Sequence, residues 1–595
     1  MYKHFSLLAL VAALVLAACS SDDDLDAAAT SDSDASSTYM AVNIYMSSDA
    51  ATRSSSTVSS EGYATGASAE YAIDFTNSIF LFYASDGSYL TGVTPETTSG
   101  TVNSTTDTST DYVEYTTNAI LVLSPTTLTP AYMVGVFNDA STSTYKGMSL
   151  DKLQEALFTE SNDDGTNLLM SNAVKYDGSN FSFATSITSS YIKDSKTEAE
   201  NSPVDMYVER AKAKVEIGVT ESNFTENESA GTYTYTLKDE DSDGNTTTTD
   251  RTFTYYYVDA TSNSLTSVSD ATVDITINGW AVNAYNQTGY VIKNYSNDGT
   301  ELSSDIKKVT DSDGNTIFGG AWGESWYSDY RIFWAVDGNY AAEASTDDNW
   351  GLKYWTWTGV TTQTTPCSTD AAYYYEQTLD PNATTGYKDG ATAYAPTLLV
   401  AATVKVDADG ATEADDAGDD IFLYNGEVLY SESAVYAKIL SLLKEAGYTG
   451  DATISSITWT TKEASKGTVV ISSITMSEES ADVSSYISTI NNNDFISNGT
   501  SEEDATAYYL RKYDGGASYY QVPIQTYISS SDGSPYGLVR NTAYSITINS
   551  VTGIGAGVPN TNEELTDIPE EDETGHLAAR INILAWRQSS QSVDL

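Results

Sequence analysis

Apolar and polar residues alternate along much of the chain, with the period of two that is typical of half-buried β-strands. The segment MYVERAKAKVEIGV at 206–219 is one example, and it predicts a strand that ends a first domain or bridges two domains. Other strand-like segments lie at 131–138 and 543–555. In NSIFLFYASDGSYL, at 77–90, the Asp-Gly dipeptide between apolar residues is a strong hairpin signal. The pattern therefore predicts strands joined by tight turns.

Helical periodicity is confined to short segments. SLDKLQEALF at 149–158 predicts a helix capped by Ser149. ESAVYAKILSLLKEA, from about 432 to 446, predicts a second helix that Gly447 stops. Because no helix alternates regularly with the strands, a parallel α/β enzyme fold is disfavoured.

The length of the chain then sets the number of domains. A chain of 595 residues is too long for one hydrophobic core, and its many Thr, Ser and Tyr residues favour strands. We therefore expect an all-β fold of two tandem antiparallel β-sandwich domains with a few short helices. Their expected bounds are 54–220 for the N-terminal domain and 221–595 for the C-terminal domain.

The N-terminus carries a targeting pattern. A short positive region precedes an apolar run that is too short to span a bilayer, so 1–18 is predicted to be a signal peptide. The run ends in LAAC, which resembles a bacterial lipobox and predicts a lipidated Cys19. The following SSDDD resembles the acidic signal that directs Bacteroidetes lipoproteins to the outer face of the outer membrane.

A well-formed strand pattern lies inside what otherwise looks like a disposable leader, at 19–53. Residues 39–46 alternate, and one face of the predicted strand carries Met40, Val42, Ile44 and Met46. Arg53 follows among small polar residues and is the only basic residue between the signal segment and Lys146. It is therefore a single cleavage point for a protease directed at basic residues.

Charge and composition exclude several function classes. A formal net charge of −55 makes nucleic acid and anionic lipid surfaces poor partners. Two cysteines, of which Cys19 is predicted to be lipidated, give no disulfide scaffold. The only histidines are His4 and His576, and no G-x-S-x-G motif marks a nucleophile, so nucleophilic catalysis has no support from the sequence. A secreted β-sandwich glycosidase that uses two carboxylates is equally unsupported, but the composition does not exclude it.

An acidic segment, DEDSDGNTTTTD at 239–250, has two interpretations. Oxygen ligands at alternate positions and a central glycine fit the first half of a calcium loop, which would use Asp239, Asp241, Asp243 and Asp250. The aspartate at the last position is shorter than the usual glutamate, however, and both flanks are strand-like. A plain hairpin turn is therefore favoured over a Ca²⁺ site.

Six of the nine tryptophans cluster in one region, at Trp322, Trp326, Trp334, Trp350, Trp355 and Trp357. Exposed aromatic rings could bind sugars, which would make the chain a surface-anchored glycan-binding lipoprotein. Large aromatic side chains also fill sandwich cores, and this second interpretation is favoured.

The C-terminal segment 576–595 predicts another long strand behind an acidic linker at 559–575. One face would carry Leu577, Ala579, Ile581, Ile583 and Ala585. This strand either completes its own sheet or pairs with another molecule.

These features together resemble the major fimbrial subunits of the type V pilins of Bacteroidales, and the short-fimbria branch is favoured over the long-fimbria branch. The resemblance is carried by the lipobox, the N-terminal strand ending in ATRS, and four further motifs. These are VERAKAKVEI at 208–217, RIFWAVDGNY at 331–340, LVRNTAYSITINSVTGIG at 538–555 and ILAWRQSSQSVDL at 583–595.

The resemblance implies a non-enzymatic fimbrial subunit that mediates adhesion at the cell surface. Its precursor would be an outer-membrane lipoprotein that contacts the membrane only through its lipid anchor, with strand 39–46 filling a groove. An Arg-directed protease would cut after Arg53, and the C-terminal strand of the next identical subunit would enter the groove. A head-to-tail filament with accessory and tip subunits would result.

Overall fold

The computed structural model describes the chain in segments. The described residues are 38–48, 72–96, 103–107, 112–123, 129–159, 167–176, 181–227, 231–240, 246–297, 300–301, 309–310, 316–318, 330–331, 335, 337, 352–368, 371–378, 395–408, 419–426, 428–463, 467–478, 480–496, 510–524, 536–566, 577–584 and 589–592.

The first twelve strands build the N-terminal part. They are β1 (Thr38–Ser48), β2 (Ile79–Tyr83), β3 (Tyr89–Val93), β4 (Asn103–Asp107), β5 (Tyr112–Leu123), β6 (Tyr132–Phe137), β7 (Leu157–Phe158), β8 (Met170–Asn172), β9 (Lys175–Tyr176), β10 (Phe181–Ser182), β11 (Thr185–Ser186) and β12 (Val204–Arg210). Most of them form one nine-stranded sheet in the order β3-β2-β6-β8-β12-β1-β5-β4, with β11 added to β6.

Alternation along the strands gives this sheet two buried faces. Neighbouring residues of β2 enter different hydrophobic clusters, with Phe80 and Phe82 on one side and Leu81 and Tyr83 on the other. Because successive side chains of a strand point to opposite faces, a strand that is buried throughout must be covered on both. β2 and β3 form the hairpin that the Asp-Gly dipeptide predicted.

The middle of the chain supplies β13 (Lys212–Val219), β14 (Thr225–Asn227), β15 (Thr232–Thr236), β16 (Lys238–Glu240), β17 (Thr246–Asp250), β18 (Phe253–Asp259), β19 (Ser264–Asn283), β20 (Gly289–Tyr290), β21 (Ser296–Asn297), β22 (Thr300–Glu301), β23 (Val309–Thr310), β24 (Thr316–Phe318), β25 (Tyr330–Arg331), β26 (Ala372–Tyr375), β27 (Gln377–Thr378) and β28 (Thr397–Asp407).

The last strands are β29 (Ile421–Tyr424), β30 (Val428–Ser431), β31 (Ile454–Glu463), β32 (Thr468–Met476), β33 (Leu510–Tyr513), β34 (Ala517–Pro523), β35 (Gly537–Leu538), β36 (Ala543–Val551), β37 (Ala556–Gly557), β38 (Leu577–Leu584) and β39 (Ser589–Ser592).

Two sheets enclose the main core of the C-terminal part. One is five-stranded, in the order β26-β13-β36-β38-β39, and the other is twelve-stranded and contains β19, β28 and β34. Val215 and Ile546 of the first sheet share a hydrophobic cluster with Ile275 and Val400 of the second. This layered arrangement confirms the expected all-β sandwich fold. Among the strand pairs of the described residues, three are parallel, namely β1–β12, β13–β36 and β18–β30, and the others are antiparallel.

The helices are short, as predicted. They are α1 (Leu150–Gln154), α2 (Lys196–Glu200), α3 (Trp357–Thr361), α4 (Glu432–Glu445) and α5 (Ser484–Ile490), with 3₁₀ turns at Phe75–Asn77, Thr142–Tyr145, Ser189–Tyr191, Asp494–Ile496 and Asp514–Gly516. Ser149 caps α1, and Gly447 follows α4 with φ 112°. α1 ends before the predicted position 158 because Leu157 and Phe158 pair with another strand. None of the helices described is long and apolar enough to cross a bilayer.

The segment 206–219, predicted as one strand, is divided between two sheets. β12 belongs to the nine-stranded sheet, β13 belongs to the five-stranded sheet, and Ala211 lies between them. The chain therefore passes from one sheet to the other at Ala211. The domain boundary at residue 220 stays a prediction.

Candidate functional site

β1 occupies an interior position of the nine-stranded sheet. Along its whole length it pairs with β5 in antiparallel register, from Thr38 opposite Leu123 to Ser48 opposite Val113. On its other side, residues 42–46 pair in parallel with β12. β5 and β12 are thus joined through β1, and its removal would open the sheet between them.

One face of β1 lies in the hydrophobic core. Met40, Val42 and Ile44 are 0% exposed and Met46 is 2% exposed. They pack in a cluster that also contains Phe80, Phe82, Leu121, Met133, Met206 and Val208. These are the four apolar positions that sequence alternation placed on one face.

The opposite face of β1 is covered more lightly. Ala41 packs against Ile120 of β5 and Ala199 of α2, and all three side chains are buried. Tyr39 exchanges two backbone hydrogen bonds with Lys193, at 2.8 and 2.9 Å, in the segment that leads into α2. α2 and the residues before it therefore hold the start of β1 from its outer side.

A polar contact follows two residues further along that face. The Asn43 Nδ2 amide donates to Oδ1 of Asp205 at 3.0 Å, and the two residues are register partners across the parallel pair. Asp205 itself is exposed to solvent. The predicted lipidation site Cys19 and the predicted cleavage site Arg53 lie outside the described residues.

The C-terminal strand β38 completes the sheet of its own chain. It pairs with β36 in antiparallel register, from Leu577 opposite Val551 to Leu584 opposite Ala543, and β39 adds to its other side. Leu577, Ala579, Ile581 and Ile583 alternate along it, whereas Ala585 lies outside the described residues. Of the two alternatives for the C-terminal strand, the structure shows the one in which the strand completes the sheet of its own chain.

Two of the sequence motifs, 208–217 and 538–555, meet where the chain changes sheets. The Arg210 guanidinium donates to Oδ1 of Asn541 at 3.0 Å, and both residues are buried. The Asn541 backbone N–H donates to the Lys212 carbonyl at 2.8 Å. The turn before β36 is therefore fastened to the junction of β12 and β13.

Buried ion pairs surround this junction. Arg540 Nε donates to Oε2 of Glu376 at 3.0 Å, with the two side chains 0% and 2% exposed, and Arg540 also donates to the Tyr290 carbonyl at 2.7 Å. Lys293 Nζ lies 3.1 Å from Oε2 of Glu209, and both side chains are fully buried. Because an unpaired charge buried this deeply would cost several kcal/mol, these ion pairs favour one arrangement of the strands at the junction.

A third motif, 331–340, reaches the same region. Oδ2 of Asp337 accepts from the Thr378 backbone N–H at 2.5 Å, and the Thr378 hydroxyl donates to the Ala335 carbonyl at 2.7 Å. Burial raises the pKa of the nearby Tyr290 phenol, so this hydroxyl stays neutral. The sequence pattern did not predict this charged junction, the cluster of buried charged residues around Arg210 and Arg540. The charged residues inside these otherwise apolar motifs could have indicated it.

A smaller ion cluster lies at the start of β34. Lys512 Nζ is 2.8 Å from Oδ2 of Asp420 and 2.6 Å from Oδ1 of Asp514. Burial lowers the pKa of this ammonium group, but the hydrogen bonds to the two carboxylates outweigh burial and leave the pKa raised. Oδ1 of Asp420 also accepts from the Gly515 backbone N–H at 2.9 Å, which holds the turn in place.

At the two ends of the acidic segment 239–250, β16 and β17 pair in antiparallel register. Asp250 forms an ion pair with Lys238. Asp241 and Asp243 lie outside the described residues, and the described part of the chain contains no group of three or more acidic, His or Cys side chains that could hold a metal. The calcium site stays a prediction.

The two described members of the tryptophan cluster pack into the protein. Trp355 Nε1 donates to the Val282 carbonyl at 3.2 Å, and Trp357 Nε1 donates to the Ser518 carbonyl at 3.0 Å. Both rings pack against a hydrophobic cluster around Leu399. Both side chains are partly buried. Trp322, Trp326, Trp334 and Trp350 lie outside the described residues.

Comparisons with known proteins find similarity to cell adhesion and fimbrial proteins. Solved structures that match the chain include a candidate cell adhesion protein from Parabacteroides distasonis (8% identity over 92% of this chain and 98% of that chain, TM-score 0.31). They also include a fimbrial assembly protein from the same organism (10% identity, 63% and 83%, TM-score 0.24). A third is the C-terminally truncated tip fimbrial protein Mfa3 from Porphyromonas gingivalis (8% identity, 86% and 95%, TM-score 0.23).

A search of curated proteins finds no match. Residues 511–592 match the family profile described as "Major fimbrial subunit protein type IV, Fimbrillin, C-terminal". The matched region includes the Arg540–Asn541 turn, β36 and β38. Residues 511–592 of this chain are therefore similar to the C-terminal region of fimbrillins.

Proposed function

We propose that the chain is a structural subunit of a cell-surface fimbria that polymerises by donor-strand exchange and contributes to adhesion. β1 acts as a temporary occupant of the sheet, and a cut after Arg53 separates it from the rest of the chain. The C-terminal strand of the next subunit then takes its position between β5 and β12.

The observation that carries this proposal is the interior placement of β1. A strand at the very start of the described chain lies in the middle of a sheet, bonded on both sides, and is followed by a predicted protease site. Burial of its four apolar side chains contributes on the order of 6–12 kcal/mol, at about 1.5–3 kcal/mol each. Before cleavage the covalent link keeps β1 at an effective concentration of roughly millimolar, so a free strand competes poorly.

After cleavage, release of β1 exposes a hydrophobic groove with unpaired backbone groups on β5 and β12. The C-terminal strand is the proposed occupant because Leu577, Ala579, Ile581 and Ile583 repeat the alternation of β1. It lies near the edge of its own sheet, where the four-residue β39 is the one strand beyond it among the described residues. Such a contact joins two different surfaces and therefore builds an open filament.

The remaining roles follow from the same proposal. Cys19 anchors the precursor in the outer membrane through its lipid, and cleavage at Arg53 releases that anchor together with β1. The protease is Arg-directed, the partners are identical subunits with accessory and tip fimbrial subunits, and the mature location is the fimbria. The subunit is a structural protein and not an enzyme.

Limited trypsin digestion of the precursor, followed by electron microscopy, tests this proposal. We expect filaments from the cut wild-type chain, and none from an Arg53→Ala variant. A chain truncated after residue 575 serves as a matched control, because it should be cut at Arg53 and remain monomeric. Monomers from the cut full-length chain would contradict the proposal.

A further inference from the structure

We infer that the vacated site accepts the C-terminal strand in one register, with Ala578 beneath α2 and Arg580 opposite Asp205. This inference rests on the proposed function and adds the residues that align the two subunits. Ala199 and Asp205 of the receiving subunit are the residues that set the register.

The first constraint is steric and comes from α2. Ala199 is 0% exposed and Ala41 is 5% exposed where the two meet on the outer face of β1. Ile120 of β5 closes the same small space from the side. A strand that replaces β1 therefore needs a small residue at the position of Ala41, unless α2 moves away.

The second constraint is polar and lies two residues further on. Asn43 donates to the carboxylate of Asp205, which lies on β12 and is exposed. A replacement strand leaves this carboxylate without that donor unless it brings another one. A cationic donor is the best fit, because a hydrogen bond between charged groups is stronger than one from a neutral amide.

The C-terminal strand satisfies both constraints when 577–583 takes the place of 40–46 in the same direction. Ala578 then falls at the position of Ala41, and Arg580 falls at the position of Asn43. The four buried positions of β1 receive the apolar residues Leu577, Ala579, Ile581 and Ile583. Both faces of the incoming strand therefore match the site at once.

Neighbouring registers and the reversed direction each conflict with at least one feature of the site. A slip of two residues one way puts the long charged side chain of Arg580 beneath α2, and the opposite slip puts His576 there. A slip of one residue would turn the apolar face of the incoming strand away from the hydrophobic core. A reversed strand centred on Arg580 keeps the contact with Asp205 but puts Asn582 beneath α2.

Intersubunit disulfides can measure this register directly. Asn118 of β5 is the exposed register partner of Asn43. In a Cys19→Ser background, Asn118→Cys is combined in turn with Ala578→Cys, Arg580→Cys and Asn582→Cys. Directly opposed antiparallel residues have Cα atoms about 4.5–5.5 Å apart, which suits a disulfide, whereas a slip of two residues moves the partner roughly 7 Å along the strand and beyond disulfide reach.

A second set of cysteine pairs shows in which direction the incoming C-terminal strand runs. Thr116 is the register partner of Tyr45, and Tyr45 corresponds to Asn582 in the proposed register. Thr116→Cys should therefore crosslink with Asn582→Cys. Crosslinking with Ala578→Cys instead would indicate a reversed strand. This pair also leaves Arg580 in place, so it decides the register even if Arg580→Cys prevents assembly.

After trypsin cleavage and oxidation, we expect covalent ladders on non-reducing gels from Asn118→Cys with Arg580→Cys and from Thr116→Cys with Asn582→Cys. Two results would overturn the register and leave the proposed function standing. One is a covalent ladder from a different cysteine pair, and the other is filament formation in which neither expected pair crosslinks. Failure of the cut wild-type chain to form filaments would reject the proposed function itself.

Discussion

The Arg210 guanidinium donates a hydrogen bond of 3.0 Å to the side-chain oxygen of Asn541, across 331 residues of sequence. Arg210 ends β12, which pairs with β1, and Asn541 lies two residues before β36, which pairs with the C-terminal strand. One hydrogen bond therefore links the sheet that holds the N-terminal strand to the sheet that holds the C-terminal strand.

Asn541 should be sensitive to substitution for two separable reasons. Its side chain accepts from a buried guanidinium, and its backbone has φ 56°, in the left-handed region. Asn541→Gly tolerates that backbone but removes the acceptor, so we expect a loss of about 1–3 kcal/mol in the free energy of unfolding. Asn541→Ala should lose about a further 1 kcal/mol through backbone strain.

Urea denaturation of both variants beside the wild type measures these losses. Equal midpoints for the glycine and alanine variants would show that the left-handed conformation contributes nothing. A wild-type midpoint for the glycine variant would show that the Arg210 contact contributes nothing.

Because Arg540 and Glu376 form a buried ion pair, we expect the effects of substituting the two residues on the free energy of unfolding to be strongly non-additive. Glu376→Leu leaves the guanidinium without its buried carboxylate, and we expect a loss of about 3–5 kcal/mol in the free energy of unfolding. Arg540→Met in the same chain removes the unmatched charge. The double variant should therefore be more stable than Glu376→Leu alone, as a double-mutant cycle in urea would show. A double variant no more stable than the single one would count against a role for the pair.

Sequence alternation could identify β1 but not the strands that bind it. The apolar positions of β1 repeat every second residue, and burial followed that pattern. Its partner β12 lies about 160 residues away, and pairing over that distance depends on the whole fold and not on local propensity. The same reason explains 206–219: its alternation runs through Ala211 without a break, so periodicity could not show that the chain changes sheets there.

The sequence did not predict the charged junction for another reason. Glu209 and Arg210 are the last two residues of β12, a position where charged side chains usually face solvent. Their burial depends on Lys293 and Asn541, which come from distant parts of the sequence. The cap of α4 was predictable, in contrast, because Gly447 acts on its immediate neighbours.

Core substitutions in β1 should weaken the precursor and leave the processed subunit unchanged. Ile44→Ala removes a fully buried side chain, and we expect the N-terminal part of the precursor to lose about 2–5 kcal/mol of stability. Asn43→Ala is the matched control on the outer face, where a loss of about 1 kcal/mol is expected. After cleavage and release of β1, all three chains are identical and should unfold at the same urea concentration. A persistent difference would mean that β1 stays bound.

Calcium should have little effect on the hairpin of β16 and β17. Asp250 is already paired with the Lys238 ammonium group, which competes with a bound cation for the carboxylate. We expect the thermal unfolding midpoint to be the same in millimolar Ca²⁺ and in EDTA. A rise with Ca²⁺ that Asp250→Asn abolishes would instead establish the calcium loop.

The thiol of Cys367 should be inert in the folded subunit. It is 8% exposed, and burial raises its pKa to about 12, so almost none of it is thiolate at pH 8. Because the folded-state pKa exceeds the usual value of 9.0, the thiol stabilises the fold below pH 9, and this contribution is lost as the pH rises towards 12. With Cys19 removed by cleavage, a thiol reagent at pH 8 should modify no site in the native chain and one site per chain in denaturant. Rapid labelling of the native chain would show that the region around Cys367 opens readily.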